Sequence, residues 1–322
     1  MSRESSMRLS GVNRRSQVGS WIGYAFAWLC AIVVTAVCLF IIGYLIKEGI
    51  HFLTWKFVST DPNPSLSQNG GGGVRIPIAG TLLLIVLSML VAIPLSVSSA
   101  VYLAEYMDES RFLTRTVRVG LEVLASVPSV VFGMFGLALF TLPMFTFLSS
   151  SGAEGAKAAF GRSFLTAGII MGVHVLSFMT KVSEEAVRSV PKSYRHGALA
   201  LGMTKWRSIR KIVLPAAGPG IATAVVLGMG LVAGDTAIVW LLLGGTMTMA
   251  TDKWWQPANF VTVLRGTGST LTTFTYVNSP AGEGNSPDLA IAAALVLILL
   301  VLALNLTAVA VARAQARAGK TS

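Results

Sequence analysis

The chain has 322 residues, 53% hydrophobic and only 12% charged, with a net charge of +11 and a mean hydropathy of +0.69. That leaves too little polar surface for a water-soluble globule of this size and makes lipid the solvent for most of the chain. The basic residues are scattered between apolar blocks and form no stripe with interleaved aromatics, which argues against a nucleic-acid partner.

In chain order, segment 1–20 is polar and basic (Arg3, Arg8, Arg14, Arg15). The apolar run after it is too long for a signal-peptide core and reads as an uncleaved first span. Cys30 and Cys38 lie eight residues apart within it, a separation of about 12 Å on a helix, too far for a disulfide. Runs long enough to cross a bilayer appear near 21–46, 77–101, 120–147, 163–180, 216–243 and 289–311. The fourth is short and is expected to run on past Thr180. Residues 21–315 therefore read as one all-α membrane domain of about six helices, with a tail at 316–322. Pro94 and Pro128 fall inside spans two and three, where they are expected to kink or break the helices. The stretches 61–73 and 266–286 are rich in Gly, Pro, Asn and Ser and read as surface loops.

With the N terminus inside, eighteen of the 25 Lys and Arg fall on the inner side, including Arg111, Arg115, Arg118 and eight from Lys181 to Lys211. The outer segments hold Lys47, Lys56, Arg75, Lys157, Arg162, Lys253 and Arg265. The positive-inside rule thus favours six spans with both termini cytoplasmic.

Between spans four and five, 181–215 is too long and too patterned for a connector. Pro191 and Ser193 start a helix, and Gly202 ends it in a left-handed cap. Thr204 then caps a second short helix with Trp206, Ile209, Ile212 and Val213 on one side and Lys205, Arg207, Arg210 and Lys211 on the other. On charge pattern alone, an amphipathic hairpin lying on lipid is as good a reading as a docking element.

The run Gly197-Ala198-x3-Gly202-x9-Ile212-x-Leu214-Pro215 resembles the EAA loop of ABC-importer permeases, with His196 in place of the usual Glu and Gly197 in place of the first Ala. Within that superfamily the chain is most similar to phosphate-importer permeases, and to their A-type subunit more than their C-type. The resemblance is carried by Gly80-Thr-Leu, 100–106, Ser126-Val-Pro-Ser-Val-Val-Phe-Gly-Met-Phe-Gly136, 184–191, Leu201-Gly-Met-Thr-Lys-Trp206 and Gly234-Asp-Thr-Ala237. It implies a bacterial inner-membrane subunit that pairs with a second, C-type permease and sits on two ATPase subunits, which bind the ATP and Mg. Phosphate would arrive from an extracytoplasmic binding protein. The resemblance makes His196, Gly197, Ala198, Gly202, Lys205, Ile212, Leu214 and Pro215 the ATPase-coupling residues. The tail Ala318-Gly-Lys-Thr-Ser322 is not a phosphate loop, because Ala314 stands where that motif needs its first glycine.

Ionisable groups in or beside spans are costly and so are functional candidates. Lys181 and Glu184, three residues apart, share a helix face and can pair. The resemblance makes them inner-gate candidates, and the alternative is an ordinary pair at the membrane boundary. Asp235 reads first as the partner of a cation on the second permease, ahead of a contact to protonated phosphate, with a hold on the helix interface as the third reading. Gly228, Gly230 and Gly234 before it would admit a close helix. The position four before Asp235, an Arg in the family, is Leu231. Ser126, Ser129 and Thr236 supply neutral donors that could hold an anion loosely. His174 reads as a bundle residue bonded to a neighbour, and Glu105 and Glu122 as interface and loop anchors. No metal spacing exists, and no nucleophile–base constellation marks an enzyme. An internal repeat with broken helices, the mark of many secondary transporters, is not evident.

Overall fold

A computed structural model describes residues 14–63, 72–107, 112–149, 161–251, 253–282, 284 and 286–318, which are helical with no strand among them. Arg3, Arg8, Arg111, Lys157 and Lys320 of the charge argument lie outside the described residues, as do 64–71 of the first surface loop and the last four residues.

The chain begins with α1 (Arg14–Gly49) and α2 (Trp55–Ser59), followed by α3 (Arg75–Val101), which widens into a π turn at Tyr102–Tyr106. Next come α4 (Phe112–Ser126), α5 (Ser129–Phe140) and α6 (Phe164–Arg188). The loop helices α7 (Lys192–Ala200) and α8 (Lys205–Ser208) lead through a second π turn, Ile209–Val213, into α9 (Leu214–Gly234). After α10 (Ala237–Leu243), α11 (Phe260–Arg265) and α12 (Leu271–Asn278), the long α13 (Pro287–Ala318) closes the fold.

Five continuous helical stretches are long and apolar enough to cross a membrane: Gly23–Gly49, Arg75–Tyr106, Phe164–Arg188, Lys205–Gly234 and Pro287–Ala310. The sixth expected span is a broken pair, Thr114–Ser126 and Ser129–Phe140, bent by 98°. The break falls at Pro128, which has no N–H to give and forces Val127 away from helical geometry. Pro94, by contrast, sits in an α3 that stays helical throughout. The fourth span runs on to Arg188, as its sequence led us to expect. The fifth stops at Gly234, nine residues before the end of the apolar run, because Asp235 adopts an extended backbone (φ −75°, ψ 128°).

Helix α6 is the centre of the bundle and packs on α3 and α9. Its small residues set the spacing: Gly172 lies against the Ser88 carbonyl and Val91 on α3, while Gly220 of α9 lies against Ala186. Without a hydrophobic drive between helices in lipid, such small-residue contacts supply van der Waals packing. Of the three glycines before Asp235, only Gly228 is used this way, against Met179, while Gly230 and Gly234 face open space. The apolar stretch of α1 is exposed along its length, including Cys30 and Cys38, and meets α13 where Gly49 abuts Leu295.

Candidate functional site: the loop between α6 and α9

The loop folds as a capped helix pair. Gly202 has φ +79°, donates its N–H to the Leu199 carbonyl (3.0 Å) and lets Met203 N donate to the Ala198 carbonyl (3.1 Å). This is the paired bonding of a Schellman cap, which needs a left-handed residue. Gly202→Ala is therefore expected to cost about 1 kcal/mol at this turn, seen as faster amide exchange at Met203. An unchanged exchange rate would show that the cap does not hold the loop. Thr204 caps α8 by accepting from Arg207 N (3.4 Å).

The root of the loop is apolar: Val101, Val187, Val190, Ile209, Val213 and Ala217 form one buried cluster joining the ends of α3 and α6 to the start of α9. Around it runs a polar stitch. Arg195 Nε donates to Glu105 Oε1 (2.7 Å), and its two terminal nitrogens donate to the Val190 (2.5 Å) and Val187 (2.8 Å) carbonyls at the end of α6. Lys205 Nζ donates to the Glu105 carbonyl and sits 4.6 Å from the Tyr106 ring centre. One side chain on each loop helix thus grips the π turn that ends α3, and Glu105 is the loop anchor its position implied. Nothing in the sequence singled out Arg195 from its basic neighbours. Its place in the first turn of α7, able to reach back to the end of α6, was the available signal.

Ala198 is buried and Ile212 and Leu214 are half-buried, whereas His196, Gly197, Gly202, Lys205 and Pro215 are exposed. Trp206 departs from its expected place on the buried side: it is 58% exposed and lines a shallow apolar groove with Val97, Tyr102 and Leu214. The π turn explains this, since the extra residue per turn rotates Ile209 and Val213 inward out of register with Trp206. A cavity of about 720 Å³ opens between α7 and the α3 end, lined by Glu105, Arg188, Lys192, Arg195, His196 and Lys205 among others. Tyr194, Leu199, Leu201 and Trp206 stand out from the loop, so its free face mixes apolar and basic groups.

The expected Lys181–Glu184 pair does not form. Glu184 is buried and bound by Arg118 of α4 (2.5 Å) and Arg188 one turn along α6 (2.9 Å), while Lys181 is exposed with no ion pair among the described residues. Two guanidiniums outcompete one ammonium because they offer several directed donors to a carboxylate leaving water. The pair that matters is thus an inter-helix clamp fastening the broken third span to α6.

Asp235 has a local partner. Its Oδ1 accepts from Ile238 N (2.9 Å), capping α10, and Thr272 Oγ1 donates to its carbonyl (3.3 Å). This bond satisfies a free N–H in the first turn of α10, just after the helix break. Ser126 donates to the Val123 carbonyl (2.7 Å), and Ser129 opens α5 beyond the break. Since α5 packs on α10, Ser129 and Thr236 each stand at the start of one of two short helices in mutual contact. His174 Nδ1 is buried without a hydrogen-bond partner, with the ring edge-on to Phe132 at 4.9 Å, so the bonded neighbour expected for it is absent among the described residues. No cluster of three or more His, Cys, Asp or Glu able to hold a metal occurs among the described residues.

Residues 92–318 match the family described as binding-protein-dependent transport system inner membrane component. The chain belongs to that family. It is 31% identical over 229 residues to the "Probable ABC transporter permease protein YqgI" of Bacillus subtilis, covering 71% of this chain and 72% of that one. It is 29% identical over 232 residues to the phosphate transport system permease protein PstC of Pasteurella multocida, covering 65% and 70%. In fold it is similar to a chain of a bacterial alginate ABC transporter in complex with an alginate pentasaccharide-bound periplasmic protein (TM-score 0.57, 18% identity, 95% and 96% covered). A chain of the MetNI methionine ABC transporter is also similar (TM-score 0.53, 18% identity, 76% and 94% covered). The protein is a multi-pass, all-helical permease subunit of an ABC importer.

Proposed function

We propose that this permease carries inorganic phosphate inward across the bacterial inner membrane, driven by ATP that two copies of a separate ATPase bind with Mg and hydrolyse. Supporting the phosphate reading are the phosphate transport permeases among its relatives and the Ser126–Gly136 and Gly234–Ala237 elements. The A-type assignment rests on those elements alone, since the phosphate permeases of Pasteurella multocida and Haemophilus influenzae that this chain resembles carry the C-type name. On this reading a C-type permease is the second subunit and an extracytoplasmic phosphate-binding protein delivers the ion. Both termini and the α7–α8 loop face the cytoplasm.

The observation that carries the coupling role is the double grip on Glu105. Arg195 and Lys205 weld the loop to α3, and the apolar root welds it to α6 and α9, so a push on the loop reaches three spans as one rigid piece. The exposed Arg207, Arg210 and Lys211 are free to meet a partner. Reversing Arg207 and Arg210 to Glu while keeping Lys205 is expected to lower ATPase recovery in co-purification at least about tenfold, the scale of a few rim charges turned repulsive. Unchanged recovery would leave the loop as a lipid-surface hairpin. Reconstituted vesicles that take up sulfate or molybdate but not phosphate would overturn the substrate.

A further inference from the structure

At the end of the bundle opposite the α7–α8 loop, four side-chain donors are buried without an acceptor among the described residues: Ser149 Oγ, Thr251 Oγ1, Trp254 Nε1 and Arg265 Nε. They come from segments tied to one another. Ser163 Oγ donates to the Leu148 carbonyl (2.8 Å), and Phe164 N donates to the Gly266 carbonyl (3.1 Å). Gly266 in turn lies so close to Ala250 that an added Cβ would stand 2.4 Å from the Ala250 methyl. Ser149, Thr251 and Arg265 are each one residue from a member of this chain of contacts. Trp254 packs on the same apolar cluster as Leu148, Met249 and Val263, on a turn held by Asn259 Nδ2 and Gln256 N, both donating to the Lys253 carbonyl (3.1 Å each).

The chemistry of the set is one-sided. Arginine and the indole N–H only donate, and the two hydroxyls can donate. Arg265 is half-buried and has no carboxylate among the described residues, whereas Arg75 at the same end is held by Asp61 and Lys47 lies beside Glu48. Buried donors left unpaired cost stability unless a ligand meets them.

We propose that Ser149, Thr251, Trp254 and Arg265 form an oxyanion-reception site on the outer side of the permease, where a tetrahedral anion is held before it enters the pathway. Its location and the phosphate identity rest on the function proposed above. A single guanidinium with neutral donors gives an anion a stop it can leave, as a pathway requires.

The test uses the complete importer in nanodiscs with 5-fluorotryptophan, the Trp254 signal being assigned by Trp254→Phe. Inorganic phosphate is expected to shift that signal saturably, and Arg265→Gln to weaken the response about tenfold, the scale of one charge-assisted hydrogen bond. Should Arg265→Gln fail to assemble, the paired Ser149→Ala and Thr251→Val changes are expected to weaken the response in the same direction. A response to sulfate without one to phosphate would uphold the site and overturn the phosphate reading. Phosphate uptake with a silent Trp254 signal, or an equal response to chloride, would overturn the site and leave the transport reading standing.

Discussion

Arg195→Leu is expected to uncouple the permease: ATP-driven uptake should fall by two orders of magnitude or more while the chain still inserts in the membrane. Glu105 and Arg195 are 7% and 19% exposed at their side chains, so the pair is largely out of water. Removing one partner of such a pair costs about 3–5 kcal/mol, because the other charge stays buried without compensation. The same change strips the donors from the Val187 and Val190 carbonyls at the end of α6. The nearby Lys205 ammonium softens the loss and places it at the lower end of that range. Even about 3 kcal/mol turns a loop docked more than 99% of the time into one that frays freely. Amide exchange across α7 should rise in parallel with the loss of uptake. Glu105→Gln combined with Arg195→Leu should recover part of the effect, since no buried charge then remains. If the single and double variants transport equally poorly, the pair is not what holds the loop.

The features legible in the sequence were those set by local chemistry. Pro128 breaks the third span where Pro94 leaves α3 helical, Gly202 supplies a left-handed cap, and Thr204 caps the short helix after it. The spans could be found because lipid demands an apolar run of fixed length. Choices between competing partners stayed hidden. Glu184 had Lys181 three residues behind it and Arg188 four ahead, yet its shortest contact is to Arg118, 66 residues earlier in the chain. Only the packing of α4 on α6 brings that guanidinium within reach. The local partner of Asp235 was hidden too: its Oδ1 accepts from the backbone three residues on. The two π turns carry no sequence mark we could use, and they decide which side of the loop Trp206 occupies.

The largest effect on folding itself is expected at Gly80, where α3 meets the segment entering α12. An added Cβ would stand 2.0 Å from the Ser269 carbonyl oxygen and 3.3 Å from the Phe164 ring. The oxygen belongs to backbone, so no rotamer change can clear it. That backbone is itself pinned: Leu271 N donates to Thr81 Oγ1 (2.9 Å), Thr81 donates to the Pro77 carbonyl (2.8 Å), and Thr270 and Thr273 form a reciprocal cap on α12. Overpacking a tight interior usually costs about 1–3 kcal/mol, and a clash with fixed backbone belongs at or above the top of that range. Gly80→Ala should therefore lower the thermal midpoint in detergent sharply. Gly230→Ala is the matched control, because nothing lies within 4 Å of its added methyl and replacing a mid-helix glycine there should stabilise by roughly 0.5–1 kcal/mol. Equal midpoints for the two variants would refute the close approach at Gly80. If Gly230→Ala stabilises the isolated permease but weakens the assembled importer, the open side of α9 is where the second permease lies.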